Sequence, residues 1–210
     1  VKTKPHFELE NALEGVVVGI DEVGCGPWAG PVVAAAAYIN QAVIKPADLE
    51  AIHDSKLLKP HTREAIFLRI QNTPDIHYGV GEASVTEIDT LGLAAAVRLA
   101  MQRAVTCLNI PSLQHCLVDG IRSPQLPYPT TLVVKGDQQS ISIALASIIA
   151  KVWRDKIMTA LHESFPHYHW HRNAGYGTAH HSQAIEQHGI TPHHRRSFAP
   201  IQKYLALKHD

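Results

Sequence analysis

Residues 16–30 read V-V-V-G-I-D-E-V-G-C-G-P-W-A-G and restrict the possible folds more than any other stretch. The β-branched run Val16, Val17, Val18 and Ile20 predicts a buried strand. That strand delivers two adjacent carboxylates, Asp21 and Glu22, into a turn containing Gly24, Gly26 and Pro27. Ionised carboxylates resist leaving water, so a pair at the end of a buried strand points to a cation or to acid–base chemistry. Successive strand residues face opposite sides, so both side chains reach one centre only if the strand ends there. Gly24-x-Gly26-x-x-Ala29 also matches the loose form of a dinucleotide-binding fingerprint. Pro27, and the like charge of Asp21 and Glu22, count against a pyrophosphate on that turn.

Downstream, strands and helices alternate in a mixed α/β order. Residues 31–39 predict a second strand of small residues, and residues 76–82 a third. A helix opens at Pro60 with Ala65, Ile66, Leu68 and Ile70 as its apolar stripe. Ser84-x-x-Glu87 reads as a capping box opening a helix that runs past Gly92 to about Leu108. Strands are expected over 116–118, ending at Asp119, and over 131–134, ending at Lys135-Gly136-Asp137. A long helix is expected from Ser140 to about Ser164, and a shorter one capped by Thr178 and closed by Gly189. No internal repeat, low-complexity tract or linker is apparent before about residue 165. Residues 165–171 are expected to be a mobile loop, being polar and next to a proline.

The 210 residues, 45% of them hydrophobic, are enough for one sizeable core. No apolar run approaches the ~18 residues of a membrane span, and residues 1–15 lack a secretory apolar segment. Cys25, Cys107 and Cys116 have no C-x-x-C spacing and are odd in number, which fits a reducing, cytoplasmic compartment. A monomer is expected.

Three of the predicted strands end in carboxylates. Side by side, they would bring Asp21, Glu22, Asp119 and Asp137 to one sheet edge, and such a group needs a compensating cation. Oxygen-only ligands favour Mg²⁺ or Mn²⁺ over zinc, and two such ions ~4 Å apart can clamp the attacking and leaving oxygens of a phosphodiester. Asp155 lies 15 residues beyond Ser140, roughly 22 Å along a helix, and cannot share an ion with Asp137. It reads, with Lys151 and Arg154, as a structural or surface charge group. The formal net charge is zero, but residues 151–210 hold 8 Lys/Arg, 4 Asp/Glu and 10 of the 15 histidines. That suits a polyanion-facing surface. No H-E-x-x-H motif or nearby cysteine makes these histidines a zinc site.

With these residues placed, the chain resembles bacterial type 2 ribonuclease H over roughly residues 16–200. The resemblance rests on G-I-D-E-V-G-x-G-P-x-A-G-P-V, D-S-K-L-L, E-I-D at Glu87–Asp89, V-D-G, V-V-K-G-D, A-S-I-I-A-K-V-W-R-D, G-Y-G-T and H-R-R-S-F-A-P, in that order. It implies a ribonuclease H-like mixed sheet flanked by helices, with residues 1–164 as the catalytic domain and 165–210 as a C-terminal substrate-binding helical extension packed on it. It implies a divalent-cation-dependent enzyme that cleaves the RNA strand of RNA–DNA hybrids and nicks 5′ of single ribonucleotides in duplex DNA. The expected products carry 3′-hydroxyl and 5′-phosphate ends, a role in ribonucleotide removal during replication and repair. The family's active-site carboxylates fall on Asp21, Glu22, Asp119 and Asp137. Gly24, Cys25 and Gly26 would meet the 2′-hydroxyl through backbone atoms, and Tyr176 would pack on the sugar at the RNA–DNA junction. Ser55, Lys56, His194, Arg195 and Arg196 are expected to contact substrate, the basic groups among them by holding phosphates. The family loop usually reads Gly-Arg-Gly, and Cys25 offers no charge to replace that arginine. Cleavage with weaker substrate binding is expected, against the alternative of a hybrid-binding protein without catalysis.

Overall fold

A computed structural model describes residues 4–53, 55 and 57–207 of the chain. The elements in order are α1 (Glu8–Asn11), β1 (Val16–Val23), β2 (Val32–Ile39), α2 (Pro46–Leu49), α3 (Pro60–Gln71), β3 (Ile76–Ala83), α4 (Val85–Leu91) and α5 (Leu93–Leu108). They continue with β4 (Leu113–Asp119), β5 (Thr130–Val133), α6 (Ile141–Ser164), α7 (Trp170–Asn173), α8 (Ala179–His188) and α9 (Ala199–Ala206). The five strands form one sheet in the order β3-β2-β1-β4-β5. The pairs β1–β2 and β2–β3 are antiparallel, whereas β1–β4 and β4–β5 are parallel. The α/β class expected from the sequence is the one observed.

Both faces of the sheet are covered, as its alternation requires. Val33, Ala35, Ala37 and Ile39 of β2 face α3 and α6, joining Phe67, Ile70, Leu145, Ile148 and Ile149 in one core. Val32, Ala34 and Ala36 face the other way, with Val18, Ile20, Ala100, Met101 and Ala104. The alanines of β2 let helices approach closely on both sides, so α6 is buried around much of its first half. A third core joins the C-terminal segment to the body: Trp170, Tyr168, Ile185 and Ile201 pack on Ala29 and on Met158 of α6.

Several expectations are corrected. The helix after Ser84 is split, because Gly92 takes φ +80° and ψ 153°, outside the helical basin. The capping box is present, with Ser84 and Glu87 bonding each other's backbone N–H. On α3, Phe67 rather than Leu68 or Ala65 enters the core, and Leu68 is exposed. Residues 165–171 are no loose loop; they form a short 3₁₀ turn and α7, anchored by buried Tyr168 and Trp170. The dinucleotide reading fails, since β1 leads through the glycine turn into an antiparallel strand and no helix follows Gly24-x-Gly26.

Candidate active site

β1, β4 and β5 run parallel and adjacent, so their C-terminal ends emerge at one edge of the sheet. Pairing of β1 with β4 stops at Ile20↔Val118, while pairing with β2 continues to Val23↔Val33. The strand therefore does not end at Asp21-Glu22, as the sequence suggested. Its neighbour β4 ends instead, which leaves that edge of β1 unpaired beyond Ile20, while alternation sends Asp21 and Glu22 to opposite faces. Asp21 turns toward α6 and is buried, whereas Glu22 is half-buried on the opposite face, in a cleft of about 370 Å³. Asp119, the last residue of β4, lines the same cleft together with Cys25, Arg98 and Arg122.

The Asp21 carboxyl is held well above its usual range, first by burial, then by the charges of Glu22 and Asp119. Ser147 of α6 and the Glu22 N–H, at 2.7 Å from Asp21 Oδ1, donate to it and only partly offset that penalty. The Ser147 hydroxyl in turn lies 2.8 Å from the hydroxyl of buried Ser55, which ties the D-S-K-L-L segment to the site. Arg63 secures the same segment by donating to the carbonyls of Ser55 (3.0 Å) and Leu58 (2.6 Å), and it pairs with Asp155 at 3.4 Å. Lys151 also pairs with Asp155. Asp155 lies eight residues beyond Ser147, roughly 12 Å along the helix, and is a structural group as expected. Lys56 lies outside the described residues.

Asp137 sits on the 3₁₀ turn that follows β5 and is buried. The N–H of the preceding Gly136 donates to Asp119 Oδ1 at 2.6 Å, which couples this turn to the end of β4. Among the described residues, no three His, Cys, Asp or Glu side chains form a ready-made metal cage. The donor chemistry nevertheless fits a hard cation, because Asp21, Glu22 and Asp119 offer oxygen atoms and the charges of Glu22 and Asp119 both press on Asp21.

The glycine turn is pinned from behind. Gly24 takes φ +97°, and a Cβ there would run into Arg154 and the Pro31 carbonyl, so only glycine fits. Arg195, fully buried, donates to the carbonyls of Gly24 (2.6 Å), Gly30 (2.9 Å) and Cys25 (3.2 Å). Arg154, also buried, donates to Ala29 (3.0 Å), Pro31 (2.9 Å) and Ala174 (2.8 Å). Burial, and for Arg195 also the facing Arg154 charge, brings each guanidinium down to about 10. These placements correct one expectation and narrow another. Arg195 and His194 are buried and cannot reach a phosphate, and of the two readings of Arg154, structural or surface, the structural one holds. Arg196 is exposed, and its backbone N–H, with that of Ser197, is held by Asp89 of the E-I-D motif, each at 2.9 Å.

Tyr176 is 48% exposed and stands over the glycine turn; a Cβ on Gly26 would lie 3.3 Å from its ring. The Cys25 thiol points to Glu22 Oε1 at 3.7 Å and is pushed up to about 12 by burial and by Glu22. Ser147, Arg98 and Arg122 escaped the sequence reading. Ser147 lies inside A-S-I-I-A-K, and only the packing of α6 on β1 reveals its partner.

A mixed sheet with carboxylates at the ends of adjacent parallel strands is the ribonuclease H architecture. The ribonuclease H2 of Pyrococcus horikoshii superimposes with a TM-score of 0.74 at 25% identity, over 93% of this chain and all of that one. Bst-RNase HIII, solved in complex with Mn²⁺, shares the fold with a TM-score of 0.73 over 91% of this chain and 70% of its own. The ribonuclease HII family profile matches residues 18–201. The ribonuclease HII of Rhodospirillum rubrum is 50% identical over 96% of this chain and 92% of its own length. That of Wolbachia pipientis from Culex pipiens is 46% identical over 94% and 98%. The chain belongs to the ribonuclease HII family and is an endoribonuclease of RNA–DNA hybrids.

Proposed function

We propose that this chain hydrolyses the RNA strand of hybrids and also nicks duplex DNA 5′ of a single embedded ribonucleotide, with two divalent cations held by Asp21, Glu22, Asp119 and Asp137. The observation that carries this reading is the buried Asp21 carboxyl, pressed by Glu22 and Asp119 where three parallel strands end. When bound, Mg²⁺ or Mn²⁺ would supply Lewis acidity to the attacking water and to the departing 3′ oxygen, leaving 3′-hydroxyl and 5′-phosphate ends. The Mn²⁺ found with Bst-RNase HIII supports a divalent ion of this kind.

The remaining work falls to the chain's own groups. Arg195 fixes the carbonyls of Gly24 and Cys25, so the turn would present its backbone to a ribose 2′-hydroxyl in a set geometry. The Tyr176 ring, exposed beside that turn, packs on the sugar. Arg98 and Arg122 at the cleft rim, with exposed Arg196, hold phosphates through charge. Cys25 adds no positive charge, so binding relies on the others. The three described cysteines are free, which fits a reducing cytoplasm, and among the described residues no helix is long and apolar enough to cross a membrane.

The test uses duplex DNA carrying one ribonucleotide, an all-DNA duplex, and Mg²⁺, Mn²⁺ or EDTA. Metal-dependent nicking 5′ of the ribonucleotide is expected, falling by about a hundredfold or more in Asp119→Asn. Binding without nicking under either ion would instead support a hybrid-binding protein that lacks catalysis.

A further inference from the structure

The C-terminal segment buries two histidines that the proposed chemistry does not use. His181 and His194 are 0% and 1% exposed, and their Nε2 atoms lie 3.1 Å apart. Their neighbours dictate where the protons sit. His194 Nδ1 accepts the Thr191 N–H at 2.9 Å, so the proton of this ring is on Nε2 and is donated to His181. His181 Nε2 also receives the Trp170 indole N–H at 3.2 Å, so it carries no proton of its own. The one proton of His181 is therefore on Nδ1, which donates to the Tyr176 carbonyl at 2.9 Å. Burial holds both rings below the ordinary histidine range, which keeps them neutral at pH 7. Histidines in water favour the opposite tautomer, with the proton on Nε2. The pocket thus holds His181 in the minority form, and that form delivers a donor to Tyr176.

We infer that His181 is a positioning residue for Tyr176, its Nδ1–H fixing the tyrosine carbonyl so that the exposed ring is presented over Gly26. The inference rests on the reading of Tyr176 as the sugar contact. The rest of the loop is pinned in the same manner. Asn173 accepts the Gly175 and Tyr176 N–H groups through its side-chain and backbone oxygens, each at 2.9 Å, and Arg154 holds the Ala174 carbonyl. Among the described residues the Tyr176 carbonyl has one further donor, the Thr178 N–H at 2.8 Å, which comes from the same short loop and cannot anchor it to the core. His181 supplies that anchor: its ring is seated against Trp170, Tyr168 and Trp28.

Two substitutions separate the two ends of the ring. Asparagine at 181 can place an N–H near Nδ1 but leaves the Trp170 and His194 donors without an acceptor. Glutamine reaches the Nε2 position and can accept there, but loses the donor to Tyr176. His181→Ala is expected to lower kcat/KM on the single-ribonucleotide duplex by about tenfold or more. His181→Asn should restore most of that activity while unfolding at a lower temperature, and His181→Gln should keep more stability but not the activity. A purely structural role would make activity follow stability in all three variants, and that result overturns the inference. The unmodified protein provides a check independent of variants that fold poorly: ¹⁵N-edited NMR of the imidazoles should show Nδ1–H at His181 and Nε2–H at His194. An Nε2–H form of His181 refutes the proton assignment and the inference with it. Tyr176→Ala distinguishes the two readings. Full activity of that variant removes both the sugar contact and this inference, whereas loss in Tyr176→Ala with none in His181→Ala removes the inference alone.

Discussion

Replacing Arg195 by methionine keeps the apolar stem but removes every donor from a fully buried side chain. Three carbonyls, those of Gly24, Cys25 and Gly30, then lose the guanidinium. A buried polar group left unsatisfied costs about 1–3 kcal/mol, so the three together would cost about 3–9 kcal/mol. Part of this is offset, because Arg154 and Arg195 repel each other and removing one charge relieves the other. The lower end, about 3 kcal/mol, is therefore the expected loss. For a chain of this size each kcal/mol moves Tm by about 2–4 °C, which predicts a fall of about 6–12 °C. Thermal unfolding followed by circular dichroism reads it directly. Arg195→Lys keeps the charge but offers a single donor nitrogen that cannot span three carbonyls, so its Tm should lie near that of the methionine variant. A lysine variant as stable as the native chain would show that charge, rather than the planar fork, holds the glycine turn. A methionine variant within about 2 °C of native would refute the reasoning altogether.

Stability should also depend on pH through His194. Its folded value is pushed down to about 3, mainly by burial, from an ordinary 6.5. Below 6.5 the unfolded chain takes up a proton that the native ring refuses, so stability present above 6.5 is lost as pH falls toward 3. His194→Gln should flatten that part of a Tm-against-pH curve, and an unchanged curve would contradict the assignment. Thiol alkylation followed by mass spectrometry should label exposed Cys107 well before Cys25 and Cys116, both pushed up to about 12 by burial; early labelling of Cys25 would argue against its contact with Glu22. Cys25→Arg should lower KM and steepen the salt dependence of binding by about one phosphate contact, and an unchanged KM and slope would show that this position makes no such contact. Asp21→Asn should raise Tm in EDTA, because it removes a buried charge that Glu22 and Asp119 oppose. The same variant should lose the stabilisation that saturating Mg²⁺ or Mn²⁺ gives the native chain, about 2.7 kcal/mol at a hundred times Kd.

Taken alone, the sequence determined the strands, most helix ends and the candidate carboxylates, because each is written in local terms. Val16–Ile20 shows its burial in its own composition, Ser84-x-x-Glu87 shows a helix start, and Asp119 and Asp137 follow short apolar runs. That the carboxylates share one edge depended on the strands lying side by side, and the sheet order β1-β4-β5 supplies that condition, since parallel neighbours align their C-terminal ends whatever separates them in the chain. Asp21 and Glu22 take opposite faces by strand alternation, and the edge beside them is open because pairing with β4 stops at Ile20, a matter of strand length in a different part of the sequence. The roles of Arg154, Arg195, His181 and His194 were decided by tertiary structure alone. A charged or titratable residue in a basic, His-rich segment reads as surface, and its partners here are backbone carbonyls, which every residue carries and no sequence pattern marks. Arg195 bonds Gly24 across 171 positions of the chain; only folding that brings the C-terminal segment under the glycine turn converts a presumed phosphate contact into the support of the site.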